Sequence, residues 1–384
     1  MTRRNPVVFQ ISQARSRLAL PGRLVTAALA LGLIAGAGPT LANGLGREAE
    51  AQTEIAAATS SPGGTLIVLN KSDATASVID RASGSVLATL PTGAGPHEAA
   101  VSPDGKTAVV CDYGERTPGS TLTVIDLPSM TVSKTIDLGQ PCRPHGIQFE
   151  PDGEHLVVTA EVLSEVLRVN VLSGEVVGRA PTRQRASHMV VLSPSGERGY
   201  VANIAPGTVS VVDVARGDLV KVIETGAGAE GIDISPDGRE VWVTNRAADT
   251  VSVIDTQTLE VVKQIECGAF PIRVKFTPDG TRVLVSCAES GEVVVFDAKT
   301  RETVARIAMA DEPGQGQEDG DAPDQGPVPI GILIPADGGH AYIANTNVDR
   351  VTVVDLETLK VTGRLAAGKT PDGMAWSVIE PQTD

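Results

Sequence analysis

The chain has 384 residues and a formal net charge of −15, from 32 basic and 47 acidic side chains, and only 3% of its residues are aromatic. An acidic protein is repelled by nucleic acid and by anionic lipid, and few aromatic rings leave few platforms on which bases could stack. The composition therefore argues against nucleic acid as a partner.

The first 42 residues differ from the rest of the chain. They contain five arginines, no acidic residue, and an apolar run over 24–35 that is followed by Thr40-Leu41-Ala42. A basic segment, a short apolar run and a small-residue site are typical of a secretory signal peptide. We predict a signal peptide over 1–42 and a linker over 43–62. The mature protein is then periplasmic or secreted and has no transmembrane domain, although an uncleaved anchor stays open as an alternative.

A repeat occupies residues 63–378. Its clearest mark is a short apolar strand that ends in Asp or Asn and recurs seven times, at Asp80, Asp126, Asn170, Asp213, Asp255, Asp297 and Asp355. The best-defined unit contains four β-branched runs between Gly231 and Ile265, each bounded by turn residues. Four short strands that recur about every 42 residues indicate a β-propeller blade, because one unit cannot bury its own apolar face.

The two ends of the repeat indicate how the ring closes. The chain enters with three strands, at 66–70, 76–80 and 86–90, and it leaves with an innermost-type strand over 373–378. The last strand would complete the first blade and so remove two exposed sheet edges. We therefore predict an all-β, monomeric, seven-bladed propeller of four-stranded antiparallel blades, with the first blade closed by the C-terminal strand.

Three strands end in the similar sequences Tyr200–Asn203, Val243–Asn245 and Tyr342–Asn345, each preceded by a Ser-Pro-Asp-Gly-like turn. In these motifs the chain resembles the YVTN family of seven-bladed propellers over residues 63–378. The resemblance implies the fold and leaves the function open. Similar propellers include surface-layer proteins, lactonases, redox-enzyme subunits and a periplasmic protein that binds single-stranded DNA.

The repeat also places one residue of each blade at the start of the strand that lines the central channel. From the first blade to the seventh these residues are Asp372, His97, His145, His188, Glu230, Ile272 and Ile330. Three of the five histidines thus lie in consecutive blades with an acid on each side. Imidazoles and carboxylates suit zinc, copper, iron or nickel, so we predict a metal site formed by His97, His145, His188, Glu230 and Asp372.

We call these five residues, which follow one another around the channel, the arc. The arc is compatible with three functions. The first is an exported binding protein that holds a transition metal or a small polar ligand at the top of the channel. The second is a metal-dependent lactonase or lyase with Glu230 as the catalytic base. The third is a protein-interaction scaffold, in which the histidines only hydrogen-bond loop carbonyls and water. Arg143, Arg183 and Arg185 lie in loops beside the arc, either to bind an anionic ligand or as solvated charges.

The chain also contains four cysteines and two polar segments outside the strands. Export permits disulfides, and we predict the pairs Cys111–Cys142 and Cys267–Cys287, with free thiols or metal ligands as the alternative. Residues 311–327 form an acidic insertion that cannot bury apolar surface, interpreted as a tolerated surface loop, or else a lid or calcium-binding loop. Residues 379–384 form a tail.

Overall fold

A computed structural model of the protein describes residues 63–310 and 326–380. The expected signal peptide, the linker, residues 311–325 of the acidic insertion and residues 381–384 of the tail lie outside the described residues. Within the described ranges the chain forms strands joined by turns, and these strands make seven four-stranded antiparallel sheets.

The strands of the first three blades follow one another along the chain. They are β1 (Thr65–Asn70), β2 (Thr75–Asp80), β3 (Val86–Pro91), β4 (Pro96–Val101), β5 (Thr107–Gly114), β6 (Pro118–Asp126), β7 (Thr131–Asp137), β8 (Pro144–Phe149), β9 (His155–Ala160), β10 (Glu165–Asn170) and β11 (Val176–Pro181).

The next blades continue with the same spacing. Blades four and five contain β12 (Ser187–Leu192), β13 (Arg198–Asn203), β14 (Thr208–Asp213), β15 (Asp218–Glu224), β16 (Ala229–Ile234), β17 (Glu240–Asn245), β18 (Thr250–Asp255) and β19 (Glu260–Glu266). The remaining strands are β20 (Pro271–Phe276), β21 (Arg282–Cys287), β22 (Glu292–Asp297), β23 (Thr303–Ala308), β24 (Pro329–Leu333), β25 (His340–Asn345), β26 (Arg350–Asp355), β27 (Lys360–Ala366) and β28 (Pro371–Ser377).

The predicted ring closure is confirmed. The C-terminal strand β28 pairs antiparallel with β1, and the first sheet has the order β28-β1-β2-β3. Arg81, which follows β2 in this blade, donates hydrogen bonds to Asp337 and Tyr342 of the seventh blade and adds a second link across the closure. The first blade therefore joins the two ends of the propeller.

The burial pattern of the strands explains why the sheets stack as blades. The second strands are almost entirely buried, whereas the outermost strands, such as β27 (Lys360–Ala366), alternate between exposed and partly buried residues. Because a second strand packs against a neighbouring blade on both of its faces, its sequence is a continuous apolar run. The core is therefore divided into apolar clusters between adjacent blades.

A short turn joins the first and second strand of most blades. In the fifth blade Ser235 Oγ accepts from the backbone N–H of Glu240, and Gly238 adopts a φ of 71°. A β-carbon on Gly238 would lie 2.9 Å from Pro194 Cδ of the preceding blade. The turn thus needs glycine both for its backbone conformation and for the contact between blades.

The innermost strands surround the central channel and position the site. Each blade presents its innermost strand to those of the two neighbouring blades, in the order β28, β4, β8, β12, β16, β20 and β24, and β24 contacts β28 again. Several of these strands have glycine as their third residue. A β-carbon on Gly231 would lie 2.1 Å from the carbonyl oxygen of Ile272, so the strands approach closely around the axis.

Candidate metal centre in the channel

The expected arc of histidines is present at the start of the innermost strands. His97, His145 and His188 are each the second residue of their strand, in β4, β8 and β12. The ring centroids of His97 and His145 are 4.2 Å apart, those of His145 and His188 are 3.5 Å apart, and those of His97 and His188 are 6.3 Å apart. Repeat phase alone therefore brings three imidazoles into contact.

The middle histidine is buried without a hydrogen-bond partner. His145 has no exposed surface, and neither Nδ1 nor Nε2 has a partner among the described residues. Burial, followed by the nearby rings of His188 and His97, lowers the pKa of His145 well below its usual value, which keeps the imidazole neutral. A neutral imidazole with a free nitrogen is the form that binds a metal, and a buried polar group without a partner is costly.

His97 lies between a lysine and a carboxylate. Lys71 Nζ is 3.1 Å from His97 Nε2 and 3.3 Å from Asp372 Oδ2. His97 Nδ1 lies 2.9 Å from the same carboxylate oxygen, although the angle is unsuitable for a hydrogen bond. Burial lowers the pKa of His97 to about 4, against the opposing attraction of Asp372. His97 is therefore neutral at physiological pH and held next to His145.

His188 is engaged on both sides of its ring. Its Nδ1 lies 3.1 Å from Glu161 Oε2, and its Nε2 lies 3.5 Å from Glu230 Oε1. Burial alone would lower the pKa of His188, but these two carboxylates outweigh it and raise the pKa. Both nitrogens of His188 are therefore engaged by carboxylates in this arrangement, unlike those of His145.

Glu230, the candidate catalytic base, is itself paired. Its carboxylate accepts a hydrogen bond from Arg246 Nη1 at 2.5 Å as well as facing His188. Burial raises the pKa of Glu230, but Arg246 and His188 outweigh burial and the net shift is downward. A carboxylate with a lowered pKa is a weaker base, so these contacts do not favour proton abstraction by Glu230.

The carboxylate of Glu98 lies close enough to His97 and His145 for all three side chains to bind one metal ion. One ligand atom from each of His97, Glu98 and His145 lies within 4.8 Å of the other two. Glu98 follows His97 in β4 and forms a buried ion pair with Arg273 of β20. Two imidazoles and one carboxylate form a common ligand set for catalytic zinc and for non-haem ferrous iron. The other predicted ligands lie next to this set: His188 contacts His145, Glu230 faces His188, and Asp372 faces His97.

The predicted arginines are less closely grouped than the histidines. Arg143 lies with its guanidinium 4.7 Å from the ring centre of Tyr113 and donates to the backbone carbonyl of Glu115. Arg183 and Arg185 are exposed in the turn before β12. Tyr113 in turn contacts the rings of His97 and His145, at centroid distances of 5.0 and 5.3 Å. Arg143 thus reaches the site through Tyr113.

Sequence reasoning missed several charged residues of the site, although the repeat contained a signal for them. Three charged residues directly follow equivalent positions in the second strands, namely Asn70, Ala160 and Asn245. They are Lys71, Glu161 and Arg246, and each contacts residues of the arc. The third residue of the innermost strand is charged in two blades, at Glu98 and Arg273, which pair with each other. A search of the repeat for charged residues at these two positions, close to the histidines, would have identified all five residues.

The predicted disulfides are corrected by the structure, in which Cys111, Cys142, Cys267 and Cys287 are all free. Cys267 and Cys287 are neighbours, with their Sγ atoms 3.6 Å apart, but they are not bonded. That distance is a non-bonded contact, because the sulfurs of a disulfide are about 2.05 Å apart. Burial raises the pKa of the Cys111 thiol, which also makes it a poor metal ligand.

Comparison with known proteins supports the architecture. A family of YNCE-like β-propellers matches residues 23–198, and seven blades of four strands are present. The chain belongs with the seven-bladed β-propellers. A second family, the cytochrome D1 heme domain, matches residues 145–316 of this propeller. None of the curated proteins compared with the chain matches it.

Solved structures show the same fold at low sequence identity. The propeller is similar to hydrazine synthase of Kuenenia stuttgartiensis, with 21% identity, a TM-score of 0.63, and coverage of 73% of this chain and 89% of that one. It is also similar to a functionally unknown protein from Desulfotomaculum acetoxidans DSM 771, with 17% identity, a TM-score of 0.68, and coverage of 83% and 100%. The described part of the chain contains no helix that is long and apolar enough to cross a membrane.

The match to a haem domain raises the question of whether this site suits a haem. A haem requires a broad, mostly apolar slot beside its axial ligand. Around His145 the neighbouring side chains are the rings of His97 and His188 and the charged groups that pair with them. The residues present therefore do not fit a haem next to His145, whereas they do fit a single metal ion.

Proposed function

We propose that the protein is an exported β-propeller that binds a transition-metal ion in its central channel through His97, His145 and Glu98. The observation that carries this proposal is His145, a fully buried neutral imidazole with both nitrogens unpartnered among the described residues, within ligand distance of a second histidine and a carboxylate. Metal coordination would satisfy that imidazole, and the two-histidine, one-carboxylate set favours zinc or ferrous iron.

The charged residues around the three ligands support the same function. His97 faces Asp372, and His188 lies between Glu161 and Glu230. Carboxylates that flank ligating histidines orient the rings and raise their basicity. In this proposal Asp372 orients His97, while His188 and its two carboxylates form a charged wall next to His145.

Three protein ligands would leave positions on the metal for a small molecule. A metal with open positions can bind an anion or polarise a carbonyl group. Because Glu230 is engaged by Arg246 and His188, we propose binding of a small ligand as the function and do not assign Glu230 as a catalytic base. Export is part of the proposal and rests on the basic and apolar pattern of residues 1–42.

Metal analysis of the purified protein tests the proposal. The protein would be stripped with a chelator, reloaded separately with zinc and anaerobically with ferrous iron, and desalted before metal analysis. We expect close to one equivalent of one of these metals in the native protein. The absence of retained metal after both reconstitutions would overturn the proposal and favour the interaction scaffold. Cell fractionation with and without residues 1–42 tests export separately.

A further inference from the structure

The channel around the proposed metal centre has two unlike sides. The starts of the innermost strands are acidic or histidine in blades one to five, but they are Ile272 in blade six and Ile330 in blade seven. Both isoleucines are buried, with 4% and 5% of their surface exposed. Neither belongs to any of the apolar clusters between blades, which instead include Val274 and Ile332 from the same strands. Ile272 and Ile330 are each the second residue of an innermost strand, the position that the histidines hold in blades two to four, and this position places them at the channel.

Ring geometry places these isoleucines opposite His145. The innermost strands follow one another around the axis, so blade three is three steps from blade six in one direction and three steps from blade seven in the other. His145 lies in blade three, and its ring nitrogens are the unpartnered groups of the site. A ligand held on the channel side of His145 would meet the wall formed by Ile272 and Ile330.

A side-chain contact shows that groups from these opposite blades meet across the axis. Glu98 follows His97 in blade two, Arg273 follows Ile272 in blade six, and the two form a buried ion pair. Blades two and six are also three steps apart. The pair lies one residue further along each strand than His97 and Ile272, and it provides a polar floor beneath both the histidine side and the apolar side.

The polar side also carries positive charge near the mouth of the channel. Lys71 Nζ lies 5.7 Å and the Arg143 guanidinium 4.7 Å from the ring centre of Tyr113, which itself contacts His97 and His145. The side chain of Lys71 is 19% exposed and so is accessible from solvent. A small anionic group would find a metal and a cation on this side.

From this arrangement we infer that the ligand of the channel site is a short-chain aliphatic monocarboxylate. Its carboxylate binds at the metal held by His97, His145 and Glu98, near Lys71, and its aliphatic end contacts Ile272 and Ile330. This inference rests on the proposed metal site and adds the chemical class of the ligand. Ile272 and Ile330 are then the residues that determine specificity for the aliphatic end.

A homologous series of carboxylates tests the inference. Formate, acetate, propionate and butyrate would be titrated into the zinc-loaded protein by calorimetry, with zinc content measured for every sample. Burial of one methylene contributes about 0.8 kcal/mol, so we expect affinity to rise about fourfold for each added carbon until the wall is covered. Ile272→Asn and Ile330→Asn should flatten this series while zinc content stays constant, and Ile272→Val should preserve it.

The two proposals fail in different ways. Full zinc content with equal affinities for all four carboxylates, or with no carboxylate binding, would overturn the ligand class and leave the metal site intact. Lack of zinc would overturn the metal site and the ligand class together. A series that rises equally in the native protein and in both asparagine variants would overturn the role of the isoleucine wall.

Discussion

The third blade contributes to two groups of potential metal ligands, one at each end of its innermost strand, and only one of these groups contains an imidazole whose two nitrogens lack partners among the described residues. At the channel, His145 lies within ligand distance of His97 and Glu98, and both of its nitrogens lack partners among the described residues. At the opposite end, Glu150, Asp152 and His155 are equally close together. Distances alone do not separate the two groups.

In the second group, the atoms that could bind a metal already form hydrogen bonds. His155 Nδ1 lies 2.8 Å from Asp152 Oδ2, and Arg168 donates to both oxygens of Glu150 at 2.6 and 2.9 Å. These contacts stabilise a solvent-exposed turn and leave little reason for a metal to bind. Unsatisfied, buried ligand atoms therefore identify a metal site better than a cluster of suitable residue types does.

The largest expected effect comes from removing the unpartnered histidine. His145→Ala deletes one of three ligands, and we expect metal affinity to fall by more than about 100-fold, beyond the loss typical for outer-sphere partners. His155→Ala is the matched control from the same blade and should leave affinity within about twofold. Competition with a chromophoric chelator measures both. Equal losses in the two variants would contradict the distinction between the groups.

Breaking the buried ion pair beneath the site should have a large effect on stability. Arg273→Met leaves Glu98 as a buried charge without its partner, which typically costs about 3–5 kcal/mol. Arg168→Met removes a more exposed partner of Glu150 and should cost about 1 kcal/mol or less. Denaturant unfolding measures the difference. The double variant Glu98→Met with Arg273→Met should recover stability but not metal binding, which separates the role of Glu98 as a ligand from its role in the fold.

Removing the lysine next to His97 should strengthen metal binding. Lys71 places a positive charge 3.1 Å from His97 Nε2 and also partly neutralises Asp372. Lys71→Met removes the repulsion between two cations, and we expect the affinity for zinc to rise roughly tenfold. Lys134→Met, at an exposed lysine that donates to the carbonyl of Leu172, is the control. A lower affinity in Lys71→Met would mean that the lysine supports the ligands rather than competing with the metal.

A smaller effect is expected at the closure of the ring, where Asp337 pairs with the buried Arg81. Burial raises the pKa of Asp337, but its hydrogen bonds with Arg81 outweigh burial and the net pKa is lowered from 3.8. A carboxyl with a lowered folded-state pKa stabilises the fold above pH 3.8, and this stability is lost as the pH falls through the folded value.

We therefore expect Asp337→Asn to lose roughly 1 kcal/mol near neutral pH and to unfold with a weaker dependence on pH below about 4. Asp213→Asn, in an exposed pair with Arg216, should change neither quantity measurably. Urea unfolding between pH 3 and pH 7 measures both. Parallel pH profiles for native protein and Asp337→Asn would contradict this assignment.

The fold could be predicted from the sequence because each blade repeats the same pattern of strands and turns. The seven Asp or Asn residues at which the repeated apolar strand ends determined the blade count. The partial first unit, together with the strand over 373–378, determined the closure. The same repeat placed His97, His145 and His188 at one level of the channel. A regular repeat converts position in the sequence into position around an axis, so these predictions needed no knowledge of side-chain packing.

The chemistry of the site could be predicted only in part. Whether the nitrogens of His188 are free depends on the approach of Glu161 and Glu230, which come from two different blades. Whether Cys267 and Cys287 are bonded depends on a separation of 3.6 Å. Such distances reflect how neighbouring blades pack, and the repeat pattern does not specify them.

The most direct test of the proposed metal site is a crystal structure of the zinc-loaded protein, with anomalous diffraction measured on both sides of the zinc absorption edge. We predict one anomalous peak in the channel, bonded to His97, His145 and Glu98, with His188 still between Glu161 and Glu230. A peak at Glu150, Asp152 and His155, or no peak in the channel at full zinc loading, would contradict it.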